Sequence, residues 1–178
     1  TVTIQVTSGA QSTRENRRRW FALIVVCLAM LMNALDATVV NVALPKIQHD
    51  LHFTQAGLAW VIDAYLVAFA GFLLMSGRLG DLIGRKKVFL GGLAVFTAAS
   101  AVCGVSNSQG LLIGARFVQG MAGAFSTSVI LAIIATEFSG DPRERARAMS
   151  AYIFVAVGAG SIGLLAGGVL TEALNWHW

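Results

Sequence analysis

Five times in 178 residues the chain runs for about 20 positions with almost only apolar side chains. A helix of that length rises about 30 Å, enough to cross the hydrocarbon core of a bilayer. The runs cover roughly residues 20–44, 56–76, 88–105, 111–136 and 149–173. Their interiors are rich in Gly and Ala, which suits membrane helices packing on one another. No stretch sustains a period-2 alternation bounded by turn residues, so a sheet is not supported. The pattern predicts an all-α, multi-pass transmembrane helical bundle. Composition agrees: 12% of residues are charged, about half the usual share of a soluble domain.

The placement of the charges sets the threading. Arg14, Arg17, Arg18 and Arg19 precede the first run. Arg78, Arg85, Lys86 and Lys87 fall between the second and third, and Arg143, Arg145 and Arg147 between the fourth and fifth. These are eleven of the 13 basic residues. Lys46 alone falls on the other side, and Arg116 lies inside a run. Basic connectors stay in the cytoplasm, so residues 1–19 read as a cytoplasmic N-terminal segment of an inner (plasma) membrane protein. The chain would then end outside at Asn175-Trp176-His177-Trp178, where interfacial Trp is expected. The basic clusters are short and carry no interleaved aromatics, which excludes a nucleic-acid surface.

Other classes fall away on the same reading. Cys27 and Cys103 lie inside apolar runs without a CxxC or Cys/His neighbourhood, so neither a disulfide framework nor a metal site is supported. The run after Arg19 is too long for the core of a signal peptide. His49, His52 and His177 are outside-facing, and no HExxH or GxSxG is present, so an embedded enzyme has no cluster to work with. Asp141-Pro142-Arg143-Glu144 reads as N-cap, N1 proline and N3 glutamate of a cytoplasmic helix. A missing initiator Met and five spans predict an N-terminal fragment whose remaining helices are elsewhere, inactive by itself.

Three ionisable residues remain inside the runs: Asp36, Asp63 and Arg116. Each costs about 2.5–3.5 kcal/mol to insert, so each marks a pathway or a partner. Counted from the outer ends of their runs, all three sit about 8–10 Å deep, which predicts one shared polar site. Desolvation favours the neutral carboxyl unless a cation stands close, making Asp36 and Asp63 candidate proton carriers. Asn33 and Asn41 are expected to pack between helices. In the fifth run Ala159, Gly163 and Gly167 recur four residues apart, a flat ridge for close helix contact.

Between the second and third runs stands Gly77-Arg78-Leu79-Gly80-Asp81-Leu82-Ile83-Gly84-Arg85-Lys86-Lys87, expected to form a tight cytoplasmic turn in which Asp81 caps a helix or pairs with a basic residue. It resembles the signature loop of the major facilitator superfamily, with Leu82 where the family usually has a basic residue. Leu35-Asp36-Ala37-Thr38-Val39-Val40-Asn41-Val42-Ala43-Leu44-Pro45 resembles the first-span motif of that superfamily's fourteen-helix drug:proton antiporters. Arg116-Phe117-Val118-Gln119-Gly120 is similar to the fourth-span motif, whose Arg is associated with proton coupling. Gly163-Leu164-Leu165-Ala166-Gly167-Gly168 is similar to the fifth-span antiporter motif, with Leu164 in place of the typical Pro.

The resemblance implies most of the first of two six-helix bundles, with substrate near the midplane between them. It implies proton-coupled efflux of drugs or other small hydrophobic or cationic molecules by alternating access. Asp36, Asp63 and Arg116 would serve coupling or substrate. Gly77, Asp81, Gly84, Arg85 and Lys86 would form a conformational-switch loop, and Gly163, Gly167 and Gly168 the helix-packing motif. The proton gradient replaces a cofactor. The partners are lipid, protons, a small-molecule substrate and the remaining helices. A solute importer or facilitator of the same superfamily is the alternative.

Overall fold

The computed structural model describes the backbone of residues 2–173 and the side-chain surroundings of 16–165 and 168. The expectations on Asn175–Trp178, on the neighbours of Gly167 and on the side chain of Arg14 lie outside them. The chain folds into five helices, α1 (Val2–Asp50), α2 (Gln55–Ile83), α3 (Arg85–Gly104), α4 (Gln109–Glu137) and α5 (Pro142–Ala173). All five contain stretches long and apolar enough to cross a membrane.

The helix starts follow local chemistry. Thr54 Oγ1 accepts from Gly57 N at 3.1 Å to open α2, and Ser108 Oγ accepts from Leu111 N at 3.4 Å to open α4. Asp141 Oδ1 accepts from Arg143 N at 2.8 Å, satisfying an N–H that the first turn leaves free. The expected capped helix and the fifth span are thus one continuous helix. Gln109 closes the end opposite the basic clusters, its Nε2 donating to Leu51 O (2.9 Å) and His52 O (3.2 Å).

Three expected boundaries move. The first span was expected to stop at Leu44, but α1 passes through Pro45 to Asp50. Proline costs one backbone bond, and burial of Ala43 and Ile47 against Phe53, Val61 and Leu112 holds the helix together beyond it. Upstream, α1 begins before residue 20, so Arg17, Arg18 and Arg19 are carried on the same helix. The expected loop 77–87 is also almost wholly helical: α2 runs to Ile83, α3 starts at Arg85, and the turn is Gly84 alone. Its φ of 104° is a conformation that side-chain-bearing residues rarely adopt.

Apolar side chains cover the outside as well as the interior, and a few polar ones are buried. Phe21, Leu74, Leu82, Phe154, Val157 and Leu165 are exposed, while Ser76, Arg116, Gln119 and Ser126 are buried. Helix α4 lies between α2 and α3 and touches both along much of its length, and α5 packs on α1. Small residues permit the approach: a Cβ on Gly120 would collide with the backbone oxygen of Tyr65. Ser76 Oγ donates to Leu73 O of its own helix at 2.7 Å and lies 3.2 Å from Ala124 O of α4. Helices α1 and α3 pack less closely, and two cavities lie between them, one towards each end of the bundle.

Candidate functional site

Arg116 reaches out of α4 and is only 3% exposed. Its Nη1 lies 2.6 Å from Asp36 Oδ2 of α1, and the Asp36 side chain is 16% exposed. Its Nε donates to Val61 O of α2 at 3.3 Å, and its guanidinium sits 4.5 Å over the Tyr65 ring. A charge in hydrocarbon is tolerated only when paired and hydrogen-bonded, and this one is held from three sides.

Gln119, one turn further along α4, completes the arrangement. Its Nε2 donates to Asp36 Oδ1 at 2.5 Å and to Ser100 Oγ of α3 at 2.6 Å. Its Oε1 accepts from Arg116 Nη1 at 2.7 Å, and Cys103 Sγ lies 3.7 Å away. Asp36 therefore receives one N–H on each carboxylate oxygen. The network ties α1, α3 and α4 together, with α2 contributing Val61 and Tyr65. Beside it lies a cavity of about 280 Å³ lined by Asp36, Val40, Val61, Phe96, Ser100 and Arg116, among others.

Asp63 is not part of it. It is exposed and makes no hydrogen bond or ion pair among the described residues. The expected three-membered site is corrected to Asp36, Arg116, Gln119 and Ser100. Depth does not separate Asp63 from the network, since Arg116 Nε bonds Val61 O only two residues before it. Depth also says nothing of azimuth, and the buried face of α2 carries Val61, Ala64, Tyr65 and Ala68. Gln119 was not singled out, and the one signal for it is its position three residues after Arg116, on the same helix face. Nothing in the sequence singled out Ser100.

The two asparagines differ. Asn33 is buried, its Nδ2 donating to Ala29 O at 2.8 Å, and its Oδ1 has no partner. Asn41 is exposed and bonds its own helix at Ala37 O. At the basic end, Asp81 Oδ1 accepts from Arg85 Nη2 at 3.3 Å, one turn along across the Gly84 break. Arg85 Nη1 also reaches Ala132 O of α4 at 3.3 Å, so the turn is tied to the bundle. Lys86 lines the second cavity, about 560 Å³, with Arg18, Phe21, Phe89 and Glu137. A Cβ on Gly77 or Gly168 would meet nothing within 4 Å, whereas one on Gly163 would strike Thr38 Oγ1. The ridge of Ala159 and Gly163 therefore faces α1.

A bundle of five apolar helices with a buried, hydrogen-bonded ion pair between them is that of a polytopic membrane protein. The profile of the Major Facilitator Superfamily matches residues 26–178. The chain belongs to this family of transporters. It is 44% identical over 161 residues to the puromycin resistance protein pur8 of Streptomyces alboniger, covering 90% of this chain and 32% of that protein. It is 44% identical over 156 residues to the cephamycin export protein CmcT of Amycolatopsis lactamdurans, covering 88% and 32%. The chain thus spans about a third of the length of these relatives. The fold matches the crystal structure of a bacterial homolog of the human lysosomal transporter Spinster, in an inward-facing and unoccupied conformation, with a TM-score of 0.74 at 22% identity. That match covers 85% of this chain and 32% of the other.

Proposed function

We propose that the complete protein exports small toxic molecules in exchange for protons by alternating access, with its basic end in the cytoplasm and Asp36 as the proton-binding group. The observation that carries this reading is the buried Arg116–Asp36 pair at 2.6 Å. Protonating Asp36 cancels one of two mutually compensating buried charges, so proton binding must change how α1 is held against α4. Similarity to a puromycin resistance protein and a cephamycin export protein supports efflux of small antibiotics. Asp36→Asn in the full-length protein is expected to lower proton-driven efflux at least tenfold, with unchanged membrane insertion. The assay is uptake into everted vesicles of a panel of toxic compounds beginning with puromycin. Efflux at the level of the unmodified protein would refute the role of Asp36.

A further inference from the structure

Gln119 is fully buried, and every hydrogen-bonding position of its amide is taken. Nε2 has two N–H groups, one on Asp36 Oδ1 and one on Ser100 Oγ. Oε1 has two lone pairs, one facing Arg116 Nη1 and one facing the Cys103 thiol. This saturation fits one protonation state of Asp36 only. With the carboxylate ionised, each of its oxygens accepts an N–H, from Gln119 on Oδ1 and from Arg116 on Oδ2. A proton arriving on either oxygen sets O–H against N–H, and inside a low-dielectric network such a mismatch is costly.

Gln119 can relieve it and Arg116 cannot. A side-chain amide carries its acceptor and its donors at two sites of nearly equal shape, whereas a guanidinium is donor-only. Rotating the Gln119 amide by half a turn puts Oε1 where Nε2 stood. It then accepts the new O–H of Asp36. Ser100, whose hydroxyl rotates freely, changes from acceptor to donor towards the same oxygen. Cys103 sulfur becomes a weak acceptor for Nε2. Arg116 alone loses: a donor replaces the Gln119 oxygen it faced, and its counter-charge on Asp36 is gone. What it retains is Val61 O and the Tyr65 ring, both on α2.

We propose that Gln119 is the positioning residue that converts protonation of Asp36 into release of Arg116 from α1, by a half-turn of its amide. One proton is taken up on Asp36 Oδ1, one O–H bond forms, and deprotonation reverses the turn. The ionisable groups facing this amide are Asp36 from α1, Cys103 from α3 and Arg116 from its own helix, with Tyr65 of α2 beyond Arg116. Tyr152 of α5 is engaged elsewhere, on Met30 Sδ at 3.6 Å. The inference rests on Asp36 being the proton-binding group.

The test is an acid-minus-neutral infrared difference spectrum of the full-length protein in lipid, prepared with and without ¹⁵N in the glutamine side-chain amides. The expected spectrum contains a protonated-carboxyl band that Asp36→Asn removes. It also contains an amide band that shifts on ¹⁵N labelling and is lost in both Asp36→Asn and Gln119→Glu. A carboxyl band without the labelled amide band, or an amide band that survives Gln119→Glu, overturns the amide turn and leaves Asp36 standing. Absence of any carboxyl band removed by Asp36→Asn overturns Asp36 as the proton site, and the amide turn with it. The labelled, unsubstituted protein carries the first comparison, so a variant that fails to fold does not remove the test.

Discussion

Glycines that look alike in the motifs do different work, and Gly120 and Gly77 separate them. A methyl group on Gly120 has nowhere to go, because the obstacle is the backbone of Tyr65 and not a flexible side chain. Gly120→Ala is expected to destabilise the full-length protein by about 1–3 kcal/mol, the usual cost of overpacking a tight contact. Gly77→Ala meets open space within α2 and is expected to be neutral or stabilising by up to about 1 kcal/mol, through helix propensity. Thermal unfolding in one detergent compares the two, and equal losses would contradict the distinction. The motif spelling alone put Gly77 in the switch loop and gave Gly120 no role of its own. The same limit explains Asp63 and Gln119: sequence reports that a residue lies within a span, but the face it presents depends on which helix packs where. Arg116 was legible because its insertion cost demands a partner, and Asp36 was the natural candidate. Asp63 shares the chemistry of Asp36 but stands outside the packed face of α2.

At the scale of the element, the number and kind of helices followed from apolar length alone, while their ends did not. Hydropathy marks where the chain leaves lipid, and a helix ends where its backbone bonds are taken over by something else. α2 outlasts its apolar run by seven residues to reach Gly84, and α1 outlasts Leu44 because packing at Ala43 and Ile47 holds it across Pro45. Where a capping side chain exists, the start was readable. Asp141 was expected to open a helix at Pro142, and it does. Removing this cap by Asp141→Ala is expected to cost about 1 kcal/mol, with Asp141→Asn losing much less because the amide oxygen still accepts. The measurement is again thermal unfolding of the complete protein. A loss for the Asn variant as large as for Ala would show that Asp141 acts through its charge and not as a cap.

For the molecule as a whole, the topology gathers the basic residues of three separate connectors at one end. The start of α1 brings Arg17, Arg18 and Arg19, the Gly84 turn brings Arg85, Lys86 and Lys87, and the start of α5 brings Arg143, Arg145 and Arg147. Among the described residues the opposite end holds short connectors, 51–54 and 105–108, with Lys46 nearby. Such an asymmetry orients a polytopic protein with the basic end inside, and the proposed exchange of substrate for protons depends on it. Two exposed connector residues test the orientation: Asn107 between α3 and α4, and Ser139 between α4 and α5. With Cys27 and Cys103 replaced by serine in the full-length protein, Asn107→Cys is expected to react with a membrane-impermeant maleimide in intact cells. Ser139→Cys is expected to stay unlabelled until the cells are opened, and then to react. The reverse pattern would place the basic connectors outside. Protons entering beside Asp36 from the opposite end would then come from the cytoplasm, and exchange of an exported molecule for an incoming proton would lose its physical basis.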